Sequence, residues 1–346
     1  MTPATPRWSV VAPQGTNLEL AGTGGREGWR LLLETARTVH RHGRGALWLL
    51  DRTDTLPRRE PEPVWEGWTA LAALAGAVPG LDLGLLSSAP PFRNAALIAK
   101  RAATLDVVCD GRLTLGFPAR EYLPEHHSTG HEVPTGLEAD EEEAAGHRAL
   151  GETVEALRAL WGGQPVTFTG EHIRLTSAHC VPAPRQQPLP LALRTPAGDA
   201  GSGALRPADA TVRECAHVQW TGEPAQVAAA VTAFRRRRTE LGLDPDGVRH
   251  AWAAECRIFD SVLERDRWLS TPHEVLFWSH HPDLLARRSL YGTPEQLTER
   301  ARRLVAAGVA EFVLWFRDYP ATTSLERLFQ EVVPQVAPGA AKEAEE

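Results

Sequence analysis

The sequence predicts a closed (β/α)8 barrel of the TIM type, and three observations carry that prediction. Short apolar runs alternate along the chain with amphipathic helical stretches, a pattern typical of βαβ units and a parallel sheet. Runs such as "ALWLL" and "LDLGLL" are apolar almost throughout, as expected for strands buried on both faces. No G-x-G-x-x-G follows the first strand, which favours the barrel over an open dinucleotide-binding sheet.

The elements follow one another in the order that such a barrel requires. The strand segments are, in chain order, "WSVVAP", "ALWLLD", "LDLGLLSS", "LTLGF", "LPLALR", "AHVQW", "HAWAAECRIF" and "EFVLWF". Helices are predicted over 28–42, 63–78, 94–108, 224–241, 294–307 and 324–336, and a further long helix ends in "VEALRALWGG". The eight strands leave eight helix positions between and after them, and these segments fill seven of them.

Three stretches interrupt this alternation and are predicted to be insertions. They span 120–140 after the fourth strand, 162–190 before the fifth strand, and 261–291 in the C-terminal part. A barrel commonly fills a chain of 346 residues, so we expect a single domain over 1–346. Its barrel should cover about 8–336, with a disordered tail at 337–346. Functional residues are expected on the loops that follow the strands.

Composition argues against several classes of partner. The formal net charge is −7, and the one run of basic residues, 235–238, falls in a helical stretch where a solvated face is expected. No apolar run approaches the roughly 18 residues of a membrane span, and the N-terminus does not resemble a signal peptide. The four cysteines lie far apart, unlike zinc or disulfide motifs. We expect a cytoplasmic protein with neither nucleic-acid nor membrane partners.

The segment "RNAALIAKRAATLDVVCDGRLTLGF" carries a family resemblance. It resembles, almost residue for residue, the corresponding segment of the bacterial luciferase-like family of flavin- and deazaflavin-dependent oxidoreductases. The segments "EALRALWGGQPVTFTGEHIRL" and "YGTPEQLTERARRLVAAGVAEFVLWFRDYP" are similar to the family as well. The resemblance covers most of 8–336. It implies FMN or a deazaflavin coenzyme, a small organic substrate, a homodimer and, as a second partner, a flavin reductase.

The sequence departs from the family at the points where the cofactor is usually contacted. The family's second strand usually ends in Asp-His, whereas this chain has Asp51-Arg52, and an arginine cannot act as a base at neutral pH. Of the glycines that usually end the fourth strand, only Gly116 remains, and Phe117 follows it. Arg194 stands where the fifth strand usually continues into phosphate-binding glycines.

The resemblance and these departures together define the candidate site. Glu121 falls where the sugar-phosphate dehydrogenase branch of the family has an acid, and its alternative role is an ion pair with Arg120. Catalytic candidates are Glu121, Arg52 and His126; cofactor-binding candidates are Asp51, Ser87, Ser88, Gly116, Arg194, Gly201, Ser202 and Gly203; substrate-binding candidates are Trp220, Trp252 and His127. No metal ion is expected, because the spacing of the histidines after Glu121 matches no strong metal motif.

Two functions remain open at this stage. The first is an oxidoreductase or monooxygenase that uses FMN or a deazaflavin on a small organic substrate, in specialised metabolism. The second is a barrel homologue that has lost the redox cofactor and works as a cofactor-free biosynthetic enzyme or as a non-catalytic subunit. No Ser-His-Asp set or phosphate-binding lysine loop points to a hydrolase or a kinase.

Overall fold

The barrel is closed by eight parallel strands. The computed structural model describes residues 5–43, 45–55, 60–87, 93–118, 139–198, 209–271 and 282–336. The barrel strands are β1 (Arg7–Val11), β2 (Ala46–Leu50), β3 (Asp82–Leu86), β4 (Leu113–Pro118), β7 (Leu191–Pro196), β8 (Cys215–Thr221), β9 (Arg249–Ile258) and β11 (Glu311–Phe316). Each pairs with its neighbour in this order, and β11 returns to β1. The predicted fold class is confirmed.

The helices lie between the strands, as the sequence predicts. They are α1 (Gly25–His42), α2 (Gly67–Ala77), α3 (Ala95–Val108), α4 (Ala139–Trp161), α5 (Asp209–Glu214), α6 (Pro224–Glu240), α7 (Val262–Leu269), α8 (Pro282–Arg288), α9 (Pro294–Ala306), α10 (Thr323–Arg327) and α11 (Val333–Val336), with a π-helical turn over Leu328–Val332. Helices α6 and α9 each begin with a capping box and a proline in the first turn, which explains their sharp starts. Among the described residues, no helix is both long and apolar enough to cross a membrane.

Two of the predicted insertions carry their own secondary structure. The 162–190 segment contains a hairpin of β5 (Val166–Thr169) and β6 (Arg174–Ala178), and the Glu152 carboxylate accepts hydrogen bonds from three backbone N–H groups of its turn at 2.7–3.0 Å. The 261–291 segment contains α7, α8 and the start of β10 (Leu290–Gly292), which pairs with the last residues of β9. Most of the 120–140 segment and the tail after residue 336 lie outside the described residues.

A tryptophan occupies the centre of the barrel. Trp48 on β2 is 1% exposed and packs in a cluster formed by strand residues alone: Val11, Ala46, Ala192, Ala251, Ala253, Val313 and Trp315. Because alternate residues of a strand face the same side, these are the inward-facing positions. A Cβ on Gly84 would lie 2.3 Å from the indole, and one on Gly116 would lie 3.3 Å from it. Both glycines are therefore needed to leave room for the ring.

The amino-terminal end of the barrel is closed by a buried polar network. The Glu311 carboxylate accepts a hydrogen bond from the Ser9 hydroxyl, lies 3.5 Å from Nη1 of Arg249 and 3.5 Å from Nε2 of His217. Burial lowers the pKa of His217 to about 4, even though the charge of Glu311 opposes that shift. The imidazole is therefore neutral at neutral pH, and the charge of Glu311 is balanced by Arg249 and Arg7.

Gly84→Ala should destabilise the barrel because its methyl group would overlap the indole of Trp48. Overpacking of this kind costs about 1–3 kcal/mol of the free energy of unfolding, measured by chemical denaturation. Gly76→Ala in the exposed face of α2 is the matched control, since a Cβ there meets no atom within 4 Å. It should stabilise by about 0.5–1 kcal/mol. Equal effects of the two substitutions would contradict the packing described for Trp48.

Candidate functional site

A cavity of about 540 Å³ opens at the carboxyl ends of the barrel strands. Its lining comes from β1, β7 to β9 and β11, from the residues that follow β7 and β8, from the first turn of α6, and from α8 and the residue after it. The lining residues are Val11, Arg194, Pro196, Gly198, Thr221, Gly222, Gln226, Ala253, Ala254, Glu255, Leu284, Leu285, Arg288, Ser289, Val313 and Trp315. This volume lies within the range of small-molecule sites. The location is also the end of a TIM barrel at which ligands bind.

One wall of the cavity is apolar and the inward-facing strand residues form it. Val11, Ala253 and Val313 belong to the cluster around Trp48, and half-buried Trp315 packs against that cluster. The small side chain of Ala253 leaves space between the larger ones. An apolar wall with an exposed aromatic edge suits a flat ligand.

Arg194 is a half-buried cation of this cavity. Its Nε donates to Oε1 of Gln219 on the neighbouring strand at 2.9 Å, while its Nη2 atom is buried and has no hydrogen-bond partner among the described residues. The Nε2 group of Gln219 is likewise buried and has no partner within that part of the chain. Burial, together with the positive charge of Arg52, lowers the pKa of Arg194 to about 10. The structure thus brings Arg194 and Arg52, both predicted site residues, into electrostatic contact.

Glu255 lines the same cavity, and sequence analysis missed it. The hydroxyl of Tyr291 donates a hydrogen bond to its carboxylate, and Nε of Arg317 lies 3.6 Å from it. Both side chains of that ion pair are largely buried. The signal was available in the sequence: if "HAWAAECRIF" is one long strand, Ala251, Ala253 and Glu255 share a face.

The carboxylate of Asp51 connects four elements beside the mouth, by which we mean the open end of the barrel at the carboxyl ends of its strands. It accepts hydrogen bonds from the Ser87 hydroxyl at 3.0 Å, from Nε1 of Trp68 at 3.3 Å and from Nε of Arg93 at 3.2 Å. These contacts tie the ends of β2 and β3 to α2 and to the residue that precedes α3. Asp51 and Ser87, both predicted to contact the cofactor, bind each other, and Asp51 also binds Arg93, which sequence analysis did not single out.

Three other predicted residues lie in the packed interior. Gly116 lies against Trp48 and Leu86 inside the barrel. Trp220 donates from Nε1 to Nδ1 of His250 at 3.2 Å, and Trp252 donates to the carbonyl of Gly222 at 3.0 Å. Neither tryptophan is among the residues that line the cavity, and both belong to the main core cluster. Their placement is that of core residues instead of walls around a ligand.

Comparison with known proteins decides the family. Residues 8–265 match the luciferase-like monooxygenase family. The chain belongs to this family.

Relatives of this luciferase-like chain include proteins named F420-dependent glucose-6-phosphate dehydrogenase. The F420-dependent glucose-6-phosphate dehydrogenase of Amycolatopsis mediterranei (strain U-32) is 29% identical over 166 residues, which is 47% of each chain. The protein of the same name from Segniliparus rotundus is 24% identical over 290 residues, covering 82% of this chain and 79% of its own. The chain thus spans about half the length of the first of these relatives.

Solved structures share the fold. An F420-dependent secondary alcohol dehydrogenase in complex with an F420-acetone adduct superposes with a TM-score of 0.75 at 18% identity, covering 97% of this chain and 99% of that chain. The monooxygenase RslO1 from Streptomyces bottropensis superposes with a TM-score of 0.75 at 17% identity, covering 96% and 99%. At these identities the likeness shows the barrel alone.

The remaining predicted residues of this luciferase-like chain lie outside the described residues. These are Ser88, Glu121, His126, His127, Gly201, Ser202 and Gly203. Arg52 is described, and it lies half-buried directly after β2. Of the predicted residues that the structure describes, Arg194 lines the cavity, and Arg52 acts on it through its charge.

Asp51→Asn tests whether that carboxylate serves the packing of the mouth. The amide keeps the shape but loses the charge that pairs with Arg93, so the free energy of unfolding should fall by about 1–3 kcal/mol. Asp82→Asn is the matched control because its ion pair with Arg7 is more exposed, with side chains 41% and 36% exposed. That change should cost under about 1 kcal/mol. An Asp51→Asn protein of unchanged stability that has lost cofactor binding would contradict this role.

Proposed function

We propose that this chain is an oxidoreductase that uses a flavin or deazaflavin coenzyme, bound in the mouth cavity, to act on a small organic substrate. The observation that carries the proposal is the cavity itself: about 540 Å³, at the ligand-binding end of a luciferase-like barrel, with an apolar wall and a half-buried cation. The names of the relatives support this class of cofactor, since they include F420-dependent dehydrogenases and monooxygenases.

The described residues fit such a group. Val11, Val313 and Trp315 offer an apolar surface for a flat ring, and the small Ala253 leaves room beside them. Nη2 of Arg194 is a donor that has no acceptor among the described residues. A bound flavin or deazaflavin supplies a hydride donor or acceptor, chemistry that amino-acid side chains do not provide.

The chain's own residues would position the reactants and handle protons. Trp315 and the α8 residues Leu284 and Leu285 line the cavity and would shield part of a bound ligand from water. Glu255 is a carboxylate at the cavity wall, and Tyr291 and Arg317 fix its orientation. We assign Glu255 as the proton-transfer candidate among the described residues, alongside Glu121 from the sequence.

Equilibrium dialysis tests the cofactor directly. FMN and coenzyme F420, each added separately, should give micromolar or tighter binding for at least one of the two. Trp315→Ala removes the aromatic face of the cavity and should weaken that binding roughly 10-fold, equivalent to about 1.4 kcal/mol. Trp29→Ala is the matched control, because Trp29 on α1 is also half-buried but packs against Trp65, away from the cavity. Failure of both coenzymes at saturating concentration would overturn the proposal.

The alternative is a barrel that works without a redox cofactor, and the arginines favour it. Arg52 and Arg194 replace residues that the family usually keeps at its cofactor contacts, and Asp51 and Ser87 are engaged with Arg93. If neither coenzyme binds, a cofactor-free enzyme or a non-catalytic subunit becomes the better description. The homodimer, the flavin reductase partner and the cytoplasmic location stay predictions.

A further inference from the structure

We propose that Glu255 forms a recognition subsite in the mouth cavity, where one oxygen of its carboxylate accepts a hydrogen bond from a neutral donor of the ligand, a hydroxyl or an amide N–H group. Tyr291 and Arg317 are the positioning residues of this subsite. The inference deepens the function proposed above and rests on it, because it names the class of ligand that the same cavity takes: an apolar molecule that carries such a donor.

The first argument is that the two oxygens of Glu255 have different surroundings. Oε2 accepts the hydrogen bond from the Tyr291 hydroxyl and lies 3.6 Å from Nε of Arg317. Oε1 has no hydrogen-bond partner among the described residues, and it is not enclosed by protein atoms. The side chain is 18% exposed and lines the cavity. The chain therefore holds one oxygen and leaves the other available to a ligand.

The second argument is that the carboxylate is held in one place. Tyr291 is 3% exposed and packs in a small apolar cluster, in which Trp268 meets its ring edge-on at 5.2 Å between centroids. The side chain of Arg317 is largely buried as well. Donors that are themselves locked by packing fix the direction of the group that they bind. Oε1 is thus a preorganised acceptor.

The third argument is the charge around the cavity, which favours a neutral donor over a cation. Arg317 already balances the charge of Glu255. Among the described residues, the other charged side chains in the lining are two cations, Arg194 and Arg288, and Arg52 adds its charge beside Arg194. An ammonium group would be repelled by these cations, whereas a hydroxyl or an amide N–H group would not.

The fourth argument is the apolar surface beside Glu255. Trp315 on β11 pairs in register with Glu255 on β9, and both line the cavity together with Val313 and Leu285. The apolar body of a ligand can pack there while its donor reaches Oε1. A site that binds a polar group of its ligand rejects analogues that lack this group, because its own polar atom would stay unpaired.

Asp51 provides an internal comparison at the same end of the barrel. Its Oδ2 accepts hydrogen bonds from Ser87, Trp68 and Arg93, and its Oδ1 accepts one from Nη2 of Arg93 at 3.3 Å. Both oxygens are thus bound by the chain, as suits a carboxylate that serves the packing of the mouth. Glu255 differs because its second oxygen is left to the cavity.

Two matched pairs of probes test the inference without a redox step. Benzyl alcohol and benzyl methyl ether share an aromatic body, but only the alcohol donates a hydrogen bond. N-methylbenzamide and N,N-dimethylbenzamide make the same comparison for an amide N–H group. NMR titration of the protein, with and without saturating FMN or coenzyme F420, should give at least one pair in which the donor binds roughly 10-fold more tightly. The pair with the larger ratio identifies the donor.

Three variants locate that preference. Glu255→Gln should remove it, because the amide oxygen accepts from the Tyr291 hydroxyl and the NH₂ group then faces the ligand. Tyr291→Phe should lower it while the affinity for the ether stays the same, whereas a purely structural role would lower both affinities. This variant also covers the case in which the glutamine variant does not fold. Glu264→Gln, the matched control, changes an exposed carboxylate in a second cavity of about 580 Å³ that Arg317 also lines, and it should keep the preference.

Three results would overturn the inference: equal affinities within both pairs, a preference that survives Glu255→Gln, and a preference lost in Glu264→Gln. Benzylamine that binds more tightly than benzyl alcohol would contradict the neutral donor. If neither coenzyme binds and the preference still depends on Glu255, the redox function alone is rejected. If a coenzyme binds and no preference is found, this inference alone is rejected.

Discussion

The packing of Trp48 against bare backbone is the constraint on which the site depends. An indole inside an eight-stranded barrel needs space from the facing strands, and Gly84 and Gly116 provide it. Alanines at 192, 251 and 253 complete the small-residue surroundings of the ring. The indole of Trp48 fills the interior of the barrel. Arg194, Glu255 and Trp315 lie nearer the carboxyl ends of their strands and line the cavity at the mouth.

The two ends of the barrel differ in how their charged side chains are paired. The closed, amino-terminal end serves the stability of the barrel, and the open, carboxyl-terminal end carries the cavity. At the closed end, Glu311 is satisfied by the chain, and burial keeps His217 neutral. At the open end, the Asp51 carboxylate accepts hydrogen bonds from Ser87 after β3, from Trp68 on α2 and from Arg93. These bonds hold the ends of β2 and β3 and helix α2 together at the rim of the mouth. Arg194 is the exception, since this half-buried cation hydrogen-bonds only to the neutral Gln219 among the described residues.

The fold could be predicted from the sequence because its signals are local. A continuous apolar run such as "ALWLL", or an amphipathic helical pattern, can be recognised within a short window of sequence. The structure has strands and helices where these patterns occur. Family membership followed from the segment 93–117, which forms α3 and β4. Even the hairpin in 162–190 lies in a segment that the resemblance identified.

The site was harder to predict because its residues are brought together by strand direction and register. Arg194 was found from its position after an apolar run, and it does line the cavity. Glu255 was missed because only the ten-residue length of β9 shows that it faces inward. Trp220 and Trp252 were chosen for their aromatic character near strand ends, yet their side chains belong to the core outside the cavity. The position of a residue along its strand shows whether it lies near the mouth. The direction of its side chain decides whether it can contact a ligand there.

The most direct measurement of the central claim is a crystal structure of the chain grown with FMN or coenzyme F420. The account predicts coenzyme density in the cavity between Val313, Trp315 and Arg194. Coenzyme density elsewhere on the barrel, or a cavity filled only by solvent at saturating coenzyme, would contradict it.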